Sequence, residues 1–244
     1  MSSNTPAPPP YEHQTDTTQF IINNPRCFIT SDPGTGKTRS VLDAHVPLNC
    51  TTLVFAPLSI LEAAWVDDIK KFQPTINCGV AYAKNRKKIF EDKNFDMVIT
   101  NFEAVNFLIK NPQYLERFDT LVVDEFTAFK NKDSKRSKNL KTLVGHFDRR
   151  IFMSGTPNSN TILDLWHPSL CVDDGKRLGN RFYSFRNQVC TSRFNGFANE
   201  WIDKPGIEET VAQMLSDITI RHALEDCIDL PKNIVRTLYT DLSP

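Results

Sequence analysis

Three short segments of the chain have residue types and spacings that could do chemistry. The first is Ser31-Asp32-Pro33-Gly34-Thr35-Gly36-Lys37-Thr38. Glycines let a backbone curl until its N–H groups converge on phosphate oxygens. A helix that starts where the loop ends adds a favourable dipole. In that setting Lys37 brings positive charge to the β- and γ-phosphates of a nucleotide, and the Thr38 hydroxyl reaches a Mg²⁺ ion. The strict phosphate-loop pattern opens with glycine, and Ser31 stands in that place. Asp32, Pro33, Gly34, Thr35, Gly36, Lys37, Thr38 and Arg39 are taken as the ATP-binding stretch. The second segment, Thr120-Leu121-Val122-Val123-Asp124-Glu125, is an apolar run ending in two acids. Asp124 is the candidate Mg²⁺ ligand, directly or through water. Glu125 is the candidate general base for an attacking water. The third segment is Ser154-Gly155-Thr156-Pro157, again directly after an apolar run. Small hydroxyl residues at the C-terminal end of a parallel strand lie where open α/β sheets bind ligands. Taken singly, the second segment also reads as an acidic turn and the third as a plain β-turn.

Chemistry of this kind needs strands and helices in alternation. Short apolar runs recur at Cys27–Thr30, Thr52–Ala56, Gly79–Tyr82, Met97–Thr100, Thr120–Val123 and Arg150–Met153, each bounded by polar or turn residues. Such runs suit buried parallel strands. The stretches between them are long enough for crossover helices. From Leu58 to Phe72, apolar residues at Leu61, Trp65, Ile69 and Phe72 predict one helix, with Ser59 as its cap and Glu62 completing a capping box. The alternation predicts an α/β fold with a doubly wound parallel sheet. After Pro157 the strand-like runs stop, which predicts a helical extension of the same body. A strand-like run returns at Asn233–Leu242.

The whole composition bounds the class. The chain has 244 residues, 40% of them hydrophobic and 24% charged, an ordinary globular balance. Lys plus Arg equals Asp plus Glu at 29 each, so contact with nucleic acid would have to come from local patches. No apolar stretch has the length of a membrane helix. The six cysteines show no metal spacing and read as reduced thiols of a cytoplasmic protein. Four of the fifteen prolines fall in the first ten residues, so 1–10 reads as a flexible lead-in.

In order, the segments SDPGTGKT, LVFAP, VITNFE, VVDEFTAFKN and FMSGTP resemble the first lobe of superfamily-two helicases, and more narrowly the Swi/Snf-type translocase branch with its compact phage and bacterial members. The resemblance implies a RecA-like lobe over 11–170, a helical extension of it over 171–232, and the start of a linker or second lobe at 233–244. It accommodates Ser31 in the loop. It implies that Gln14, in Tyr11-Glu12-His13-Gln14, reads adenine, and that Ser154 and Thr156 relay the nucleotide state to the nucleic-acid face. It implies phosphate-backbone contacts to DNA, double-stranded, from the loops at Pro57 and at Thr100 and Asn101. Thr127 departs from the family's usual histidine. Phe129-Lys130-Asn131, Asp173–Gly179, Phe185-Arg186 and Leu230-Pro231 continue the likeness. The family works with two lobes, the second supplying an arginine finger; that lobe is absent from these 244 residues. For a phage-encoded member the compartment would be the host cytoplasm.

Lys130, Lys132, Lys135, Arg136, Lys138 and Lys141 are set against only Asp133. Such a run is either a solvated helix face or a patch for DNA. The expected function is ATP binding and Mg²⁺-dependent hydrolysis, coupled to movement on DNA once a second lobe is joined. Two other classes match parts of the pattern: another P-loop phosphotransferase, such as a small-molecule kinase, and a non-hydrolysing nucleotide- or DNA-binding module. The Ser-Gly-Thr-Pro turn and the basic stretch weigh against the first. The presence of both Lys37 and Glu125 weighs against the second.

Overall fold

The computed structural model describes residues 7–157, 160–194 and 196–227. Its strands are β1 (Arg26–Ile29), β2 (Thr52–Ala56), β3 (Cys78–Ala81), β4 (Met97–Asn101), β5 (Thr120–Asp124), β6 (Arg149–Met153), β7 (Cys190–Phe194), β8 (Asn199–Asp203) and β9 (Thr219–Ile220). Seven of them form one sheet in the order β3-β4-β2-β5-β6-β1-β9, all pairs parallel. Successive residues of a strand point to opposite faces. In β2, Leu53 and Phe55 enter one apolar cluster while Val54 and Ala56 enter the other. Both faces are covered, so these strands read as unbroken apolar runs.

Helices α1 (Glu12–Asn23), α2 (Lys37–Leu48) and α3 (Asp67–Phe72) cover one face through Ile21, Val41, Leu42 and Ile69. Helices α4 (Arg86–Glu91), α5 (Ala104–Lys110), α6 (Lys135–Leu143), α7 (Trp166–Asp173), α8 (Phe182–Val189) and α9 (Ile207–Leu215) cover the other. A short helix, α10 (Leu224–Cys227), follows β9. The expected parallel α/β sheet between helical layers is present, with strand boundaries within one residue of those expected.

Two expectations are corrected. Leu58–Phe72 is not one helix capped by Ser59. It is a 3₁₀ turn at Leu58–Ile60, a π-helical turn at Leu61–Val66, and then α3, with no side-chain cap. The reason lies in the apolar spacing. Leu61, Trp65 and Ile69 are four residues apart, which drifts by about 40° per step on an ideal α-helix. The wider π turn removes drift, and all three side chains are buried. Strands also do not stop after Pro157. β7 and β8 pair as an antiparallel hairpin, and β9 adds a parallel edge strand beside β1. The expected strand at Asn233–Leu242 and the likeness at Leu230-Pro231 lie outside the described residues. Within the expected flexible lead-in, the carbonyls of Pro8 and Pro9 accept hydrogen bonds from the Arg39 guanidinium at 2.6 and 3.4 Å.

Candidate nucleotide site at the strand ends

The loop from Ser31 to Gly36 leaves β1 and opens α2. Two left-handed glycines shape it, Gly34 at φ +86° and Gly36 at φ +81°. A Cβ on Gly36 would fall 2.2 Å from Gln14 Nε2, so a side chain there is excluded by conformation and by space. The Lys37 ammonium folds back across the loop, donating to the Ser31 carbonyl at 2.9 Å and the Asp32 carbonyl at 3.1 Å. Burial pulls the Lys37 pKa down, opposed by the charges of Glu125, Asp124 and Asp32. Thr38 is half-buried in the first turn of α2.

β5 carries the acids to the same end of the sheet. Asp124 is 5% exposed, and its Oδ2 accepts a hydrogen bond from the Trp65 indole N–H at 3.0 Å. Burial pushes its pKa from 3.8 up to about 6; the Trp65 hydrogen bond pulls down, Glu125 pushes up and Lys37 pulls down. The chain then turns through Glu125 at φ 59°, a left-handed conformation rare for a non-glycine residue. This turn sets Glu125 Oε2 to accept from the Ser154 hydroxyl at 2.8 Å, at the end of β6. Ser154 Oγ in turn accepts from the Thr156 N–H at 3.2 Å. Gly155 lies so close to the phosphate loop that a Cβ would sit 2.8 Å from the Pro33 ring. The three motif segments therefore meet in space.

The donor set suits Mg²⁺. Asp124, Glu125 and Thr38 offer hard oxygens, and Mg²⁺ is characteristically held by one or two carboxylates with substrate phosphates and water. Among the described residues no cluster of three or more His, Cys, Asp or Glu forms a cage of its own.

Other expected site residues are placed differently. Gln14 is buried and braces the loop: its amide N–H donates to the Thr35 carbonyl at 3.1 Å, and its Oε1 accepts from the Tyr11 N–H at 3.1 Å. Arg39 is buried against Asp43, Pro8, Pro9 and the Phe72 ring, and none of these partners belongs to the phosphate loop. Thr100 is fully buried with its hydroxyl donated to the Ala81 carbonyl at 2.7 Å, so its side chain is not at the surface. Asn101 accepts from Arg86 at 2.8 Å, and Pro57 follows β2 directly. Lys130 pairs with Asp164 at 2.9 Å and Lys141 with Asp174 at 2.7 Å. Lys135 and Lys138 project exposed from α6, and the Arg136 guanidinium lies 5.8 Å from the Phe102 ring centre.

Sequence reasoning missed two supports of the site. One is Trp65. The other is the segment after β9: Arg221 pairs with Asp32 Oδ1 at 3.2 Å, the Leu224 N–H donates to Asp32 Oδ2 at 3.1 Å, and the His222 N–H donates to Ser31 Oγ at 3.1 Å. Both contacts join residues far apart in the chain, where no spacing pattern signals them.

Loop, acid pair and hydroxyl turn all emerge at the carboxyl ends of β1, β5 and β6 in a seven-stranded parallel sheet, which is a RecA-like α/β lobe. Residues 11–244 match the model of the SNF2-related domain, and the chain belongs to that family. It is similar to protein p41 of Acyrthosiphon pisum secondary endosymbiont phage 1, at 26% identity across 96% of this chain and 54% of p41. It is also similar to an uncharacterized ATP-dependent helicase of Mycoplasma pneumoniae, at 28% identity across 89% of this chain and 20% of the helicase. Among solved structures it resembles the Sulfolobus solfataricus SWI2/SNF2 ATPase core in complex with dsDNA, with a TM-score of 0.74 and 22% identity over 93% of this chain and 48% of that one. The chain thus spans about half of p41, and less of the helicase.

Proposed function

We propose that this chain is the ATP-binding lobe of a DNA-dependent ATPase, which hydrolyses ATP with Mg²⁺ and drives movement along double-stranded DNA when a second RecA-like lobe joins it. The observation that carries the reading is the 2.8 Å bond between Ser154 and Glu125. It ties the candidate base to the turn after β6, beside the phosphate loop. In this reading the loop N–H groups and Lys37 hold the phosphates, while Thr38 and Asp124 would hold Mg²⁺. The ion would supply positive charge against the phosphate oxygens during in-line attack. Glu125 takes the proton of the attacking water at a carboxylate oxygen. Ser154 competes for that carboxylate, so releasing or keeping its hydrogen bond gates the base. Gln14 braces Thr35, and that bracing makes the loop sensitive to the base bound next to it. DNA lies across Pro57, Asn101, Lys135, Arg136 and Lys138 by backbone contact, which does not select sequence. Among the described residues no helix is long and apolar enough to cross a membrane, and the reading is of a cytoplasmic enzyme.

The test is phosphate release with and without duplex DNA, from the chain joined to its second lobe, for wild type and Glu125→Gln. DNA should stimulate the wild type by orders of magnitude and leave the variant inactive but still able to bind ATP. Turnover indifferent to DNA would refute the DNA-dependent reading, and turnover surviving in the variant within about threefold would refute the assignment of Glu125 as base.

A further inference from the structure

Cations and aromatic rings alternate along one surface of the lobe. The Lys132 ammonium lies 4.6 Å from the Phe182 ring centre and 5.5 Å from that of Tyr183. The Arg186 guanidinium lies 4.9 Å from the Tyr183 centre and 3.6 Å from Trp201. Phe194 extends the series. The hairpin register pairs Ser192 with Trp201 and Phe194 with Asn199, and the period of two puts Phe194 on the Trp201 face.

The series is tied at both ends to neighbouring segments of the lobe. Asp203, at the base of the hairpin, accepts from the Thr161 hydroxyl at 2.7 Å and the Ile162 N–H at 2.9 Å, just beyond the Ser-Gly-Thr-Pro turn. At the other end, Lys132 leads into α6, where Arg136 stands over Phe102 beside the loop after β4. The surface therefore continues the one assigned above to duplex DNA.

Two properties point to an occupant. The rings are displayed: Tyr183 is 62% and Phe194 67% exposed. Most of the cations are not neutralised: Lys132 pairs with Asp133 at 2.6 Å, but among the described residues no carboxylate pairs with Arg186, Arg136, Lys135 or Lys138. Among the described residues, moreover, none hydrogen-bonds to the buried Arg186 Nε. Packing alone explains the inner stack of Arg186 on Trp201, but leaves the outer rings and the charge unmatched. Duplex DNA hides its base faces and would use only the charges. An unpaired strand offers both groups at once, base faces for rings and phosphates for cations.

We propose that α8 and the β7–β8 hairpin bind an unpaired DNA strand adjoining the duplex, so that the protein prefers duplex DNA with a single-stranded extension. This rests on the reading of α6 and the β4 loop as a DNA face, and the experiment separates the two. Three labelled DNAs are titrated against the protein: a blunt duplex, the same duplex with an oligothymidine overhang, and oligothymidine alone. The variants are Tyr183→Ala with Phe194→Ala, the ring-keeping Tyr183→Phe, and Lys135→Glu with Lys138→Glu. Both ring positions are exposed, so the double alanine variant should keep the wild-type unfolding midpoint. It should bind overhang and single-stranded DNA about tenfold or more weakly while blunt-duplex affinity stays within about twofold. Tyr183→Phe should match wild type, because the ring face suffices. The charge reversals should weaken the blunt duplex and lower its salt slope by about one per lost phosphate contact. Equal binding of overhang and blunt DNA by wild type, or an overhang affinity untouched by the alanines, overturns this proposal while leaving the duplex reading intact. Failure of wild type to bind any of the three overturns both. Concentration-dependent dimerisation lost in the alanine variant would give the ring face to a second copy and overturn it as well.

Discussion

Replacing Asp124 by Asn should make the ligand-free protein more stable while removing its capacity to bind Mg²⁺ with nucleotide. The carboxylate is buried at the end of β5, and burial raises its pKa from 3.8 to about 6. A folded state that holds its proton more tightly than the unfolded chain loses stability as pH rises between those two values. The gap of about two pH units, at 1.36 kcal/mol each, amounts to about 3 kcal/mol by neutral pH. Asparagine keeps an oxygen for the Trp65 N–H and carries no charge to desolvate. The gain should therefore be near zero below about pH 4, about half-developed near pH 5, and complete above about pH 7. For a chain of this size it corresponds to about 2–4 °C of midpoint per kcal/mol. Urea unfolding of both proteins from pH 4 to pH 8, without metal, measures it. A difference that does not vary with pH, or an asparagine variant that is less stable throughout, would refute the idea that this buried acid is held at the expense of the fold.

Three further outcomes follow from the same geometry. Lys37→Ala should abolish Mg-ATP binding in a calorimetric titration, since no other motif cation faces the β- and γ-phosphates; unchanged affinity would mean that the loop does not cradle them. Trp65→Phe removes a hydrogen bond to a charged oxygen worth about 1.5–3 kcal/mol, so Mn²⁺-nucleotide affinity, followed by paramagnetic resonance, should fall at least tenfold while the fold survives; an unaltered affinity would leave the indole a packing role only. Gly155→Ala would drive a methyl to 2.8 Å from Pro33, costing about 1–3 kcal/mol of stability by overpacking and misplacing Ser154; a midpoint equal to wild type would show that the turn gives way freely.

Much of this lobe was legible in the chain. β2 and β5 are uniformly buried, and that burial demands the continuous β-branched and apolar runs from which they were read. The three motifs were legible because the groups proposed for phosphate chemistry are arranged locally, by adjacent residues on one loop or one strand end. The misreadings have physical causes. The Leu58–Phe72 spacing falls between α and π periods, and periodicity alone names the commoner helix. The hairpin strands are short and largely exposed, with Arg193 and Glu200 facing solvent, so they carry little apolar signal. β9 has two residues and no pattern to detect. The basic run could be counted but not sorted. Lys130 and Lys141 are claimed by aspartates from later segments, whereas Lys135 and Lys138 face outward.

The attachment of Asp32 and Ser31 to the segment after β9 bears on the order in which the lobe is made. A ribosome delivers the phosphate loop about 190 residues before Ile220, Arg221, His222 and Leu224. Until they emerge, β1 has an open edge, and the Asp32 carboxylate lacks both the guanidinium and the N–H that hold it. Contacts of such long sequence separation are slow to close. The loop from Ser31 to Gly36 is thus synthesised well before the segment that braces it, and a nascent chain stopped short of β9 would hold an unfinished loop beside an exposed strand edge.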